Sequence, residues 1–218
     1  MRFNIKAVIF DMDGVITDTM GYHCKAWKTI FHRQGIQVSD QDVYCREGQK
    51  GIDSLRELCA EYGRAFTPSL ARKILKDKED FFKSIFKRRF IVGARSFVRC
   101  LRAQGFQLAL VTGTSRHEAI KLLPAKLWNS FHAIVCGCDV QNGKPHPEPY
   151  LKALSQMGLK SKHALVIENA PFGIRSAKAA GLRCLALETS LPRQYLKDAD
   201  AVFSSFRDLS ARVTLLRA

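Results

Sequence analysis

The first apolar run of the chain, Ala7-Val8-Ile9-Phe10, ends in two carboxylates spaced two apart, Asp11 and Asp13, and Gly14 follows at once. Two acids at the carboxyl end of a strand cannot both be buried in a sheet without a heavy desolvation cost. They belong at an exposed site, where a carboxylate can attack or carry a proton. An Asx-turn or helix cap would account for Asp13-Gly14 alone and leaves Asp11, directly behind four apolar residues, without a purpose. Later in the chain stand Thr112-Gly113-Thr114 behind Val111, Lys144 within Gly143-Lys144-Pro145, and Glu168-Asn169 behind Ala164-Leu165-Val166-Ile167.

The elements that must position these groups come in two kinds. From 1 to 16 and from 89 to 218, short β-branched apolar runs alternate with helical patterns, the signature of an α/β fold whose parallel sheet is doubly wound with crossover helices. Its strands are expected at Ala7–Asp11, Gln107–Thr112, Ala133–Cys136, Ala164–Glu168, Cys184–Leu187 and Ala201–Phe203. Helices are expected near 94–104, 115–121, 147–157, 171–180 and 206–216, with Gly105, Gly158 and Gly181 where helix-ending glycines belong. Residues 17–88 show helical periodicity and no convincing strand. His23, Ala26, Trp27, Ile30 and Phe31 line one face and Leu55, Leu58 and Cys59 another, with breaks at Gly35, Gly63 and Pro68. This segment reads as an inserted helical domain lying over the carboxyl ends of the strands, where such sheets bind ligands.

Asp11-x-Asp13-Gly14-Val15, Val111-Thr112-Gly113, Lys144 and Glu168-Asn169, in that order, resemble the four motifs of the haloacid dehalogenase-like superfamily over nearly the whole chain. The resemblance implies a Rossmann-like core, 1–16 with 89–218, and a helical cap, 17–88. It implies Asp11 as the nucleophile that takes a phosphoryl group and Asp13 as general acid and base. Thr112, Gly113 and Thr114 would hold phosphoryl oxygens, and Lys144 would offset the charge of Asp11 and phosphate. Magnesium (Mg2+), a hard cation suited to oxygen ligands, would be held by Asp11, the backbone carbonyl of Asp13, and Glu168-Asn169. The usual residue at 169 is acidic, so Asn169 removes a negative charge, and weaker metal affinity is the expected consequence. An acid at 13 favours phosphate esters, since the superfamily's dehalogenases carry Tyr there and its phosphonate hydrolases Ala.

Within the superfamily the nearest resemblance is to the β-phosphoglucomutase-like and phosphoglycolate phosphatase-like group. Thr19, Tyr22-His23 and Ala26-Trp27 match the mutase spacing, but the mutase cap loop Lys-Gly-x-x-Arg is replaced by Glu47-Gly48-Gln49-Lys50-Gly51. Arg46, Glu47 and Lys50 are candidate substrate-facing residues. So is His23, although with Trp27 it fits a cap core equally well. The implied activity is hydrolysis of a small phosphorylated metabolite, a sugar phosphate or phosphoglycolate-like ester. The alternatives are a phosphomutase and a non-catalytic or nucleic-acid-associated protein reusing the fold.

Composition bounds these readings. With 218 residues, 46% hydrophobic and 25% charged, the chain is ordinary globular material, neither disordered nor collagen-like. No apolar run approaches the roughly 20 residues of a membrane span, and the amino end shows no secretory h-region, so a cytoplasmic address and no membrane partner are expected. Seven scattered cysteines in such a chain are expected to be reduced, with Cys136 and Cys138 reading as core-lining thiols rather than zinc ligands. The net charge of +15 favours anionic partners, and Arg72 to Arg102 holds eleven Lys/Arg against three Asp/Glu. Apolar residues recur there at helical spacing and no nucleic-acid motif accompanies them, so the charge reads as a solvated face, with a monomer favoured.

Overall fold

The computed structural model describes residues 1–218. Six parallel strands form the main sheet: β2 (Ala7–Asp11), β3 (Gln107–Val111), β4 (Ala133–Val135), β5 (Ala164–Glu168), β6 (Arg183–Leu187) and β7 (Ala201–Phe203), ordered β4-β3-β2-β5-β6-β7. The chain therefore winds outward on one side of β2, returns, and winds outward on the other. The carboxyl ends of β2, β3 and β5 meet at the reversal, the place where open α/β sheets bind ligands. All five residues of β2 and all five of β5 are buried, as strands covered on both faces by helices must be. Helices α5 (Ala94–Ala103), α6 (Arg116–Leu122), α7 (Ala125–Trp128), α8 (Glu148–Met157), α9 (Pro171–Ala179) and α10 (Phe206–Arg212) complete the layers. One buried cluster, centred on Val8, Phe10 and Leu110, fills one face of the sheet, and another, on Ile9, Val111 and Val166, fills the opposite face.

Between β2 and α5 lie four helices: α1 (Met20–Arg33), α2 (Asp40–Tyr44), α3 (Gly51–Glu61) and α4 (Pro68–Ile85). They share a hydrophobic cluster of their own, built from Trp27, Phe31, Leu55, Leu58 and Ile74 among others. The chain leaves the sheet at Ile16–Asp18 and returns at Arg89–Ile91 in two paired passages. The Asp18 amide bonds the Arg89 carbonyl at 3.1 Å, and the Ile91 amide bonds that of Ile16 at 3.1 Å.

Two elements depart from the sequence expectation. The last helix stops at Arg212, and Thr214–Arg217 forms a strand, β8, parallel to a first strand β1 (Arg2–Ile5). Phe3 and Ile5 become buried in this pairing of the two chain ends. Cys138 is exposed while Cys136 is buried, because the 3-10 turn at Gly137–Asp139 swings the second thiol outward. Gly105, Gly158 and Gly181 follow α5, α8 and α9 with positive φ, as helix-ending glycines do.

Candidate active site

Asp11 is the last residue of the central strand and only 1% exposed. Lys144 Nζ donates to its Oδ1 at 2.5 Å and to Glu168 Oε1 at 2.7 Å, so one buried ammonium joins the ends of β2 and β5. Tyr150, fully buried at the start of α8, adds its hydroxyl to the same Glu168 oxygen at 2.9 Å. The other Glu168 oxygen accepts from the amides of Asn169 and Ala170 at 2.8 and 3.2 Å. Room for this carboxylate exists because residue 173 is glycine: a Cβ there would fall 1.7 Å from Glu168 Oε1.

Asp13 is 6% exposed and held by hydroxyls. Thr19 donates at 2.5 Å to Oδ1, and Thr114 and Thr112 donate at 3.2 and 3.3 Å to Oδ2. His23 Nε2 stands 3.5 Å from Oδ1, its ring stacked on Phe82 at 4.3 Å. Lys78, on α4, reaches His23 Nδ1 at 2.9 Å. An ammonium can only donate, which fixes the His23 proton on Nε2, facing Asp13. Burial raises the Asp13 carboxyl, but hydrogen bonding to His23 and to the Thr19 and Thr114 hydroxyls outweighs this and holds it down at about 2. Burial lowers Lys78 to about 8. Burial also lowers His23, and the neighbouring Lys78 lowers it further.

The opposite side of Asp11 is unbalanced. Asp11 Oδ2, both oxygens of Glu47 and Asn169 Oδ1 are buried without a hydrogen-bond partner. Glu47 comes from the loop before α3. It meets Asn169 over Gly14: a Cβ on Gly14 would fall 2.8 Å from Glu47 Oε1 and 2.1 Å from Asn169 Nδ2. Ser190 accepts from that Asn169 nitrogen at 2.9 Å, and Thr189 donates to the Gly14 carbonyl at 2.6 Å. Burial pushes the Glu47 carboxyl well above the usual carboxylate range, repulsion from Asp11, Glu168 and Asp13 adds to this, and Asn169 opposes it. Burial likewise pushes Asp11 up to about 8, against Lys144, with Glu168 and Asp13 adding repulsion.

Of the residues singled out in the sequence, Asp11, Asp13, His23, Glu47, Thr112, Gly113, Thr114, Lys144, Glu168 and Asn169 converge. Arg46 lines the cavity beside these groups, and both Arg46 and Lys50 have partners of their own. The Arg46 guanidinium pairs with Glu57 at 3.3 Å and with Glu61, and donates to the Asp42 carbonyl. Lys50 Nζ donates to the carbonyls of Val140 and Gln141. Arg116 is tied to Asp139 at 2.6 Å and the Ile134 carbonyl. Lys78, Tyr150 and Ser190 were not singled out. For Lys78 a signal existed: it lies four residues from Ile74 and four from Phe82, on the apolar stripe of α4. Asp13, His23, Glu47, Lys78 and Thr114 open onto a cavity of about 310 Å³ between the helices and the Gly113–Ser115 turn, with Trp27, Val43, Leu75 and Phe82 on its apolar side.

A family profile described as haloacid dehalogenase-like hydrolase matches residues 8–187. The chain belongs to this family. It is 30% identical to (DL)-glycerol-3-phosphatase 1 of Arabidopsis thaliana, over 95% of this chain and 72% of the relative. To β-phosphoglucomutase of Bacillus subtilis it is 29% identical, over 94% and 92% of the two chains. The crystal structure of β-phosphoglucomutase from Clostridium difficile superposes with a TM-score of 0.82 at 25% identity, covering 94% of this chain and 93% of that one. The family thus includes proteins named as phosphatases and as phosphomutases.

Proposed function

We propose that the protein is a phosphohydrolase acting on a small phosphate monoester through an aspartyl-phosphate on Asp11, with residues 17–88 working as the cap. The observation that carries this reading is Asp11 buried at the tip of the central strand, ion-paired to Lys144, with Asp13 beside it in a cradle of hydroxyls. An oxygen of Asp11 attacks phosphorus, the bond from phosphorus to the leaving oxygen breaks, and Asp13 gives that oxygen its proton. Water then attacks the phosphoryl group, Asp13 takes the water's proton, and the bond to Asp11 breaks to release phosphate. Asp13 as it stands is an anion, ready for the second step. The negative charge of a bound ester beside it raises its pKa and readies it for the first. Thr112 and the Gly113 amide would hold the phosphoryl oxygens, the Thr114 amide holds the Thr112 hydroxyl in place at 3.0 Å, and Lys144 would offset the phosphoryl charge.

The resemblance to the family implies magnesium, and the donors present suit it. No three His, Cys, Asp or Glu side chains form a ready-made cage. The free oxygens come from Asp11, Glu47 and the Asn169 amide, all hard donors and all buried without partners. In this reading Asp11, the Asp13 carbonyl, Asn169 and Glu47 hold the ion. Glu168, whose oxygens are already engaged by Lys144, Tyr150 and backbone amides, anchors Lys144 beside it. When bound, the cation supplies positive charge against the phosphoryl oxygens. Glu47 also restores the negative charge that Asn169 lacks.

Hydrolysis is preferred over a mutase cycle on one observation. A mutase holds a second phosphate on the cap while the sugar turns round. Here the two cations of the cap loop are engaged, Arg46 on the cavity wall by Glu57 and Glu61, and Lys50 by two carbonyls. The test is phosphate release from a panel of sugar phosphates, glycerol phosphate, phosphoglycolate and an aryl phosphate, with and without magnesium, for wild type beside Asp11→Asn. Magnesium-dependent release that vanishes in the variant is the expected result. Wild type as inert as the variant, with hexose 1-phosphates isomerised instead, would overturn hydrolysis in favour of the mutase.

A further inference from the structure

Between Glu47 and Gly51 the helical lobe meets the sheet domain backbone to backbone. A Cβ on Gly113 would stand 2.5 Å from the Gly48 carbonyl oxygen and 2.6 Å from that of Gln49. Gly48, at φ 78°, lies against Lys144 so closely that its own Cβ would fall 2.9 Å from Lys144 Cδ. Gly143 faces Lys50 in the same way, with Lys50 N 3.2 Å from where its Cβ would be. Such a seam has close fit but few attractive groups. The charged group that fastens it is Lys50, which donates to the Val140 carbonyl at 2.5 Å and the Gln141 carbonyl at 2.8 Å. Those carbonyls do not move freely, because Glu148 accepts from the amides of Gln141 and Asn142 at 2.7 and 2.8 Å. The turn that Lys50 grips leads directly into Gly143-Lys144.

We propose that Lys50 is a positioning residue: it latches the helical lobe onto the sheet domain and so seats Glu47 beside Asp11 and Gly48 against Lys144. Only the kinetic consequence rests on the phosphohydrolase reading. The latch itself is an equilibrium between closed and open lobes, to which the two charge-assisted hydrogen bonds contribute in the closed form alone. Removing them without removing the side-chain stem, in Lys50→Met, lowers the closed-to-open ratio by at least about tenfold, the loss expected for a single charge-assisted bond. Lys50→Arg keeps donors at the same place and restores most of it.

Small-angle scattering and amide hydrogen exchange of the full chain, with and without inorganic phosphate and magnesium, test this for wild type, Lys50→Met and Lys50→Arg. The expected result is a larger radius of gyration and faster exchange at Gln49–Ser54 in the methionine variant, with the arginine variant close to wild type. On the phosphatase substrate, kcat/KM falls by at least about tenfold in Lys50→Met, the pH profile is unchanged, and Lys50→Arg rescues it. Identical scattering and exchange in all three proteins would overturn the latch, as would a wild type that is open in both conditions. Activity lost in Lys50→Met while the lobe stays closed would overturn it too, assigning Lys50 to the substrate. Should wild type turn over no ester, the proposed function fails, and scattering and exchange still decide the latch by themselves.

Discussion

Lys144 is the residue on which the buried centre depends most for stability, and Lys144→Met tests that dependence. Its ammonium lies 2.5 Å from Asp11 and 2.7 Å from Glu168, and all three side chains are 1% exposed. Breaking a buried ion pair by removing one partner costs about 3–5 kcal/mol, because the charge left behind keeps its desolvation penalty and loses its compensation. For a domain of this size each kcal/mol lowers Tm by roughly 2–4 °C, so a fall of about 6–20 °C is expected. The double variant Lys144→Met/Glu168→Gln discriminates charge from packing. The single amide oxygen introduced by Glu168→Gln can still accept from the backbone of Asn169 and Ala170, the amide NH2 can donate to the Tyr150 hydroxyl, and one of the two stranded charges is gone. The double variant should recover at least about 1.5 kcal/mol of the loss, a coupling far outside additivity. Urea unfolding of wild type, the two single variants and the double, metal-free at neutral pH, measures both quantities. A loss below about 1 kcal/mol in Lys144→Met, or strict additivity in the double, would refute the ion-pair account of the centre.

Three other expectations follow from the same geometry. Asp11→Asn should leave the fold intact by circular dichroism and lower kcat by at least about 10³-fold, the scale on which loss of a nucleophile is felt; residual turnover within tenfold of wild type would assign the phosphoryl acceptor elsewhere. Glu47→Gln removes a buried carboxylate that has no partner, so without divalent ions the variant should be more stable by about 1–3 kcal/mol, and calorimetric affinity for magnesium should fall about tenfold; equal affinity would remove Glu47 from the ion's surroundings. Lys78 is lowered from 10.5 to about 8 by burial, so between those pH values the unfolded chain binds a proton that the folded chain does not, and stability rises with pH across that window. The wild-type curve minus that of Lys78→Met should show this slope, and a flat difference would show that the ammonium is not desolvated behind His23.

The strands that carry the site were legible because each is buried on both faces and therefore written as an unbroken apolar run, as Ala7–Phe10 and Ala164–Ile167 are. β1 and β8 were not, because four-residue strands with alternating or one-sided burial resemble the tail of a neighbouring helix, and their pairing joins the two ends of the chain. In the site, Asp11, Asp13, Thr112, Lys144, Glu168 and Asn169 stand in local patterns tied to strand ends. Tyr150 and Ser190 have no such pattern; they act through single hydrogen bonds to Glu168 and Asn169 that only the folded chain brings about. Lys78 shows how composition misleads. Within a stretch of eleven cations it looks like part of a solvated face, yet its position between Ile74 and Phe82 on one side of α4 sends it inward, onto His23. Arg46 and Lys50 stand in the loop over the site, and the carboxylates and carbonyls that partner them come from parts of the chain their local sequence does not show.

The whole chain is strongly basic while its centre gathers carboxyl groups, and on the phosphohydrolase reading each does separate work. The +15 of the chain acts over distances comparable to the Debye length, about 8–10 Å near physiological salt, and there it draws any phosphate ester inward without regard to its identity. At the centre the carboxyl groups of Asp11, Asp13, Glu47 and Glu168 gather around Lys144, and burial with mutual repulsion raises Asp11 and Glu47, so a cation placed among them would favour their charged forms. On that reading a divalent cation held by Asp11, Glu47 and Asn169, where buried oxygens lack partners, would favour entry of the ester. Because Glu47 is contributed by the helical lobe, the charge balance that admits the ester is complete only when the lobe is seated. Lobe position, metal and phosphate are therefore three terms of one electrostatic equilibrium, and a change that opens the lobe should weaken metal and ester binding together.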